Sequence, residues 1–163
     1  MKILGIDPGY DKLGVAVVEK LPKEKEKLIY SACLKTNKSD DYFDRLKELG
    51  ESLEKIIEIY KPEVLSIEKL FFTTNQKTAM RVSEVRGMII YLAKKNNLKI
   101  FEYTPLQVKS TIAGFGRADK AQVIMMVPKL IVLKKEIKED DEYDAIALAL
   151  TCLACEPLQK LCI

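Results

Sequence analysis

Apolar and polar positions change period along this chain, and each change marks an element. Residues 2 to 7, KILGID, are a short apolar run closed by Pro8 and Gly9, which predicts a strand ending in a tight turn with Asp7 at its C-terminal end. Residues 13 to 19, LGVAVVE, and 27 to 34, KLIYSACL, predict two more strands joined by a lysine-rich loop. Three strands in succession without a helix suggest an antiparallel meander. From about residue 40 to residue 60 the period becomes helical, with Leu46, Leu49, Leu53, Ile56, Ile57 and Tyr60 in step and Lys61 and Pro62 as the stop. Residues 63 to 68, ending in Glu68, and 99 to 103 predict a fourth and a fifth strand, each preceded by a helix. Strands that alternate with helices imply parallel additions to the sheet.

The helix between those last two strands, residues 75 to 96, carries Ala79, Met80, Val82, Val85, Met88, Ile89, Ile90, Leu92 and Ala93 around much of its circumference. Covering one sheet face needs a single apolar stripe, so the excess predicts burial against a second element or a second subunit, with Val82 and Met88 as the outward candidates. Gly114, Phe115, Gly116 and Arg117 predict a flexible basic loop before a helix starting near Asp119, which Pro128 should end or kink. A final helix begins within residues 138 to 144, KEDDEYD, and continues along an Ala/Leu-rich face to Cys155. No repeat or interdomain linker is visible, so one domain over residues 1–163 is expected.

Composition narrows the chemistry more by what is missing than by what is present. With 48% hydrophobic residues, 163 positions can bury a core without disulfides or a structural metal. The 27 basic and 24 acidic side chains leave a formal charge of +3, so any basic surface must be local. Nothing at the start reads as an export signal, and no apolar stretch approaches the roughly 18 to 20 residues of a membrane span. The chain reads as soluble and cytoplasmic, with no membrane partner. Cys33, Cys152, Cys155 and Cys162 read as buried free thiols, since zinc wants four N or S ligands and Cys33 lies far from the others in sequence. The complete absence of histidine excludes Ser/His/Asp and Cys/His triads and histidine metal sites, leaving carboxylates and lysines to carry any catalysis.

Those carboxylates fall in telling places. Asp7 and Glu68 close two different strands, the edge at which open α/β sheets bind ligands. Asp141 and Asp144, spaced i, i+3 in the opening turn of the last helix, project from one face and can reach one site together. Convergent carboxylates repel one another unless cations neutralise them, and hard oxygen donors in this number suit Mg²⁺ or Mn²⁺. Each piece also has a plain reading: acids favour a helix's first turn, and an aspartate before Pro-Gly serves turns.

Residues 3 to 9 (ILGIDPG), 66 to 71 (SIEKLF), 107 to 109 (QVK), 114 to 116 (GFG), 119 to 123 (DKAQV) and 141 to 149 (DEYDAIALA) resemble the motifs of the RuvC family of Holliday junction resolvases. They keep the family's order and spacing over nearly the whole chain. The resemblance implies an RNase H-like fold, a five-stranded mixed sheet with helices on both faces. It implies an endonuclease that nicks four-way DNA junctions in pairs, in recombination and repair, by two-metal-ion hydrolysis. Carried over by motif, the catalytic metal ligands are Asp7, Glu68, Asp141 and Asp144, with Asp7 bridging two Mg²⁺ ions. Phe71, Lys109 and Lys120 would serve DNA, with Arg117 and either Arg81 or Lys77 reading phosphates. A homodimer and a branch-migration helicase complex are the implied partners.

The chain departs from the family pattern in two places. Glu142 and Tyr143 stand where the family carries small residues, and Asp140 precedes them, so Asp140 and Asp141 both remain open as the ligand. Pro128 falls where the family continues a helix, and the segment from Ile131 to Lys138 matches poorly. A different RNase H-like nuclease, YqgF-like and acting on RNA or other branched DNA, would use the same carboxylates. A non-catalytic DNA-binding module is the other class left open. An actin-like phosphotransferase also starts with an aspartate-bearing strand but needs a duplicated domain and a second phosphate loop.

Overall fold

The apolar runs pair into one sheet. The structure is a computed structural model that describes residues 1–69, 76–133 and 135–156, with Gln76 and Lys77 described by their backbone alone. In it β1 (Lys2–Asp7), β2 (Lys12–Glu19) and β3 (Lys27–Lys35) form the antiparallel meander. β4 (Val64–Glu68) joins parallel to β1, and β5 (Lys99–Tyr103) parallel to β4, in the order β3-β2-β1-β4-β5. This five-stranded mixed sheet is the one expected. Short loops connect the antiparallel strands, whereas α1 (Tyr42–Tyr60) and α2 (Gln76–Lys95) supply the crossovers that parallel neighbours require.

Period-2 alternation divides each strand between two cores. Leu4, Ile6, Val15, Val17, Leu65 and Ile67 pack with residues of α1 and α2 such as Leu49, Leu53, Val85 and Ile89. Ile3, Ala16, Val18 and Val64 pack with α5 (Asp140–Cys155) on the opposite face. Asp7 follows Ile3, and Glu68 follows Val64, by an even number of residues, so both carboxylates belong to the α5 face.

α5 is buried on all sides from Ala145 to Cys152. A helix that is apolar all round belongs inside, and α3 (Pro105–Ala113) and α4 (Lys120–Leu130) cover its outer side through Ile112, Val123 and Val127. Two strand glycines set how low it lies on the sheet. A Cβ on Gly5 would stand 2.1 Å from the Ala145 carbonyl oxygen, and one on Gly14 would stand 1.9 Å from that of Asp141. Ser66, fully buried, donates its hydroxyl to the Leu148 carbonyl at 2.7 Å and ties β4 to the same helix. The close approach brings the first turn of α5 to the edge where β1 and β4 end.

Helix ends follow local chemistry. Asp41 caps α1 by accepting from the Phe43 amide, and Lys61 closes it in the left-handed region at φ 49° before Pro62. α3 has too short an apolar stripe for periodicity to reveal, yet its start is written in Thr104, Pro105 and Gln107, a capping box with proline in the first turn. Asp119 and Gln122 form a second such box on α4. Pro128 neither ends that helix at once nor continues it far, since α4 carries it and stops at Leu130; a proline this late removes one donor from the last turn only.

The expected outward positions of α2 need correction. Val85, Ile89, Leu92 and Ala93 are buried, and half-buried Met88 faces α1, where its sulfur would lie 3.5 Å from a Cβ on Gly50. Val82 lines a cavity beside Gly9, Asp11 and Asp141. The apolar side chains that do point outward from α2 are Met80, 66% exposed, and Tyr91, 65% exposed. Helix α1 thus absorbs part of the excess apolar surface. Cys33, Cys152 and Cys155 are free thiols, but of the three only Cys152 is buried as expected; Cys33 is half-buried, Cys155 is exposed, and Cys162 lies outside the described residues.

Candidate active site

β1 and β4 are parallel neighbours, and their last paired residues are Ile6 and Ile67, so Asp7 and Glu68 emerge side by side. Above them the first turn of α5 delivers Asp141 and Asp144. Burial and then the charges of Asp144, Glu68 and Asp141 push the Asp7 carboxyl up to about 8, with Lys120 acting against them. Glu68 is raised by burial and by Asp144, although a hydrogen bond with Asp7 opposes the shift. Asp144 is raised by burial as well, with Lys120 pulling it back. Carboxylates that raise one another in this way call for protons or for cations. An all-oxygen donor set of this kind fits a hard divalent ion rather than zinc.

Lysines stand on the α3–α4 side. Lys120 Nζ lies 3.0 Å from Asp144 Oδ2 and 3.5 Å from Asp140 Oδ2. Burial works against the Lys120 ammonium, but the bond to Asp144 and the charges of Asp144, Asp140 and Asp141 outweigh it, and its pKa stands above the usual value. A cavity of about 230 Å³ opens here, walled by Glu68, Asp144, Lys109 and Lys120 and floored by Val108, Val123 and Leu148. Lys109 and Lys120, far apart in sequence from both acids, therefore line the same cavity as Glu68 and Asp144. Arg117 is exposed in the loop that joins α3 to α4.

Other expected DNA contacts fare differently. Arg81 lies on the other face, its guanidinium 4.8 Å from the Tyr42 ring centroid and 5.4 Å from that of Tyr10. Phe71 lies outside the described residues, as does the side chain of Lys77.

The neighbouring aspartates separate cleanly. Asp141 is among the charges that raise Asp7, whereas Asp140 is not; Asp140 is an exposed side chain beside Lys120. On its other flank Asp141 meets two residues that sequence reasoning does not connect with it. Cys33 pairs with Gly14 in the β2–β3 register, and Gly14 lies beneath Asp141, so ligand atoms of Cys33, Glu139 and Asp141 gather within 4.8 Å of one another. Only the register reveals this neighbourhood. The trio is a poor host for a cation. Burial and the Asp141 charge push the Cys33 thiol up to about 11, and Glu139 is taken by Lys12, at 2.7 Å, and Lys35, which bring its pKa to about 2.

Comparison with known proteins follows the same lines. The family described as "Crossover junction endodeoxyribonuclease RuvC" matches residues 3–152. This chain belongs to the RuvC family. A RuvC from Caldicellulosiruptor saccharolyticus is 45% identical over 150 residues, covering 92% of this chain and 90% of the relative, and one from Caldanaerobacter subterraneus is 44% identical with the same coverage. Both are named crossover junction endodeoxyribonucleases. Among solved structures, Thermus thermophilus RuvC in complex with a Holliday junction substrate superposes with a TM-score of 0.86 at 29% identity, covering 94% of this chain and 93% of that one. The RNase H-like sheet with helices on both faces is thus the RuvC architecture. Within this RuvC-family chain, the first two motifs end β1 and β4, and the last opens α5.

Proposed function

We propose that the chain is a metal-dependent endonuclease that resolves four-way DNA junctions by hydrolysing phosphodiesters. The observation that carries this is the gathering of Asp7, Glu68 and Asp144 at the C-terminal edge of the sheet, where burial first, and then the charges of Asp144, Glu68 and Asp141, raise the Asp7 carboxyl to about 8. Asp7, Glu68, Asp141 and Asp144 would hold Mg²⁺, or Mn²⁺ in its place. What such ions supply is activation of a water and stabilisation of the leaving oxygen. The chain's own contribution is to set the ligand oxygens in place through β1, β4 and α5 and to keep Lys109 and Lys120 beside them. Lys120, held by Asp144, is placed to meet a phosphate approaching the carboxylates, and Lys109 and Arg117 extend the positive rim.

Junctions are nearly two-fold, and paired nicks need two sites facing opposing strands, which favours an isologous homodimer. Met80 and Tyr91 on α2 are the exposed side chains that support α2 as its contact. Met80→Asp should raise the dimer dissociation constant, read by sedimentation, and uncouple the two nicks on a cruciform plasmid. A branch-migration helicase and a cytoplasmic workplace complete this reading.

The test of function is a panel of junction, duplex, RNA–DNA hybrid and RNA substrates, each with and without Mg²⁺ or Mn²⁺. Paired nicks in the junction alone, and only with the cation, are expected. Preferential cleavage of RNA or hybrid would move the chain to a different activity on the same fold. Junction binding without any cleavage would make it a binding module.

A further inference from the structure

Glu142 is the buried acid that the proposed chemistry leaves unused. It sits in the first turn of α5 between Asp141 and Asp144, its side chain is 6% exposed, and it faces β3 rather than Asp7. Its partner comes from the segment before the helix. Lys135 Nζ lies 2.6 Å from Glu142 Oε1 and donates to the Ser31 carbonyl oxygen at 2.8 Å. One ammonium thus joins that segment, α5 and β3.

Packing holds α5 from Ala145 to Cys152, and its first turn lies ahead of that buried stretch. Asp141 rests on Gly14, so the helix meets the sheet there through backbone on a residue with no side chain to interlock. Glu139, the N-cap residue, makes no side-chain bond to the helix amides and is instead engaged by Lys12 and Lys35. Besides the packing of Tyr143 and of the helix body, the side-chain pairs at this turn are Asp144 with Lys120 on one side and Glu142 with Lys135 on the other. Glu142 is buried and Lys135 is half in solvent, so the pair contributes little net stability, but the 2.6 Å contact ties the buried carboxylate to an ammonium that is itself anchored on β3.

We propose that Lys135 and Glu142 are positioning residues that fix the roll of α5's first turn and so aim the Asp141 carboxylate at a divalent cation. This rests on the reading of Asp7, Glu68, Asp141 and Asp144 as cation ligands. The probe is Mn²⁺ itself, titrated calorimetrically into the full, DNA-free chain. In Lys135→Met the ammonium is lost and most of the stem is kept. Charge alone predicts tighter Mn²⁺ binding, because a positive group near the site is gone, whereas misaimed Asp141 predicts binding weaker by about tenfold. Weakening is expected, with Lys135→Arg restoring affinity. The double variant Lys135→Met/Glu142→Leu replaces the pair with apolar groups and should regain thermal stability without regaining affinity. This variant keeps the inference exposed to refutation if Lys135→Met fails to fold.

Unchanged or tighter binding in Lys135→Met, or affinity that returns together with stability in the double variant, would overturn the proposal. Asp141→Asn separates the two levels. If it weakens Mn²⁺ binding and Lys135→Met does not, positioning alone is refuted; if it leaves binding untouched, the ligand assignment falls and takes the positioning role with it.

Discussion

Asp7 and Asp11 stand on the same β-hairpin, yet the fold holds them in opposite states. Asp11 accepts a hydrogen bond from Arg45 and faces Lys38 at 3.4 Å, and its carboxyl is lowered chiefly by the Arg45 bond. Arg45 is itself buried and anchored to Thr36 Oγ1 at 2.9 Å and to the Tyr10 carbonyl at 3.1 Å, so it fixes the β1–β2 turn to α1. Asp7 has carboxylates where Asp11 has an arginine, and it is raised to about 8. Sequence neighbourhood and residue type are shared; the depth of burial and the partners differ. A carboxylate answered by a buried arginine is part of the scaffold, and one answered by other carboxylates is left for a cation from solution.

The contrast is broken most severely by changing Asp7 itself. Asp7→Asn should lower junction cleavage by about 10³-fold or more, equivalent to about 4 kcal/mol of transition-state stabilisation, while junction binding is kept or strengthened. Cleavage at the normal rate would return Asp7 to the class of turn residues. Asp140→Asn should remain active where Asp141→Asn fails, and the reverse result would exchange their roles.

Arg45→Met tests the other half. Stranding Asp11 and losing three anchored bonds should destabilise the fold by about 2 kcal/mol, discounted because Asp11 is partly exposed, with the Tm falling by roughly 4 to 8 °C. Cleavage at a temperature where the variant is folded should change little. A variant as stable as the parent but inactive would place Arg45 in the site.

Titration should sharpen the same contrast. Between its ordinary value of 3.8 and about 8, folded Asp7 keeps a proton that the unfolded chain has released, so in the absence of divalent cation stability falls as pH rises across this window. Mg²⁺ should therefore raise Tm more at pH 8 than at pH 5, and Asp7→Asn should flatten the cation-free profile. Asp11 works with the opposite sign, because its depressed pKa adds stability that is present above 3.8 and lost as pH falls through the folded value. A Mg²⁺ effect on Tm that is equal at both pH values would contradict the assignment of Asp7.

The smallest expected effect is at the lysines. Lys109→Ala or Lys120→Ala should reduce the salt slope of junction affinity by about 1 for each phosphate that is no longer neutralised. Unchanged slope and unchanged cleavage would make both ordinary cavity-wall charges. Lys120→Ala should also let the Asp144 carboxyl rise further, since Lys120 is what opposes its shift.

Local pattern decided the elements because periodicity is a property of neighbours in sequence. The short apolar run of residues 2 to 7 and the segment 63 to 68 were enough to make strands ending in Asp7 and Glu68, and the i, i+3 spacing of Asp141 and Asp144 was enough to share a helix face. α3 is the helix that periodicity missed: no helix is predicted over residues 105–113, although the capping box of Thr104 and Gln107 marks its start. What sequence could not decide was anything that depends on the register of strands or the height of a helix. Cys33 reaches Asp141 only because β3 pairs Cys33 with Gly14, and α5 comes low enough only because Gly5 and Gly14 lack a Cβ at the contact. The same packing turns Val82 toward the cavity and Met88 toward α1, where periodicity alone faces them outward. It also separates Asp140 from Asp141, since adjacent helical residues diverge by about 100° and only the docked helix determines which of them meets Asp7.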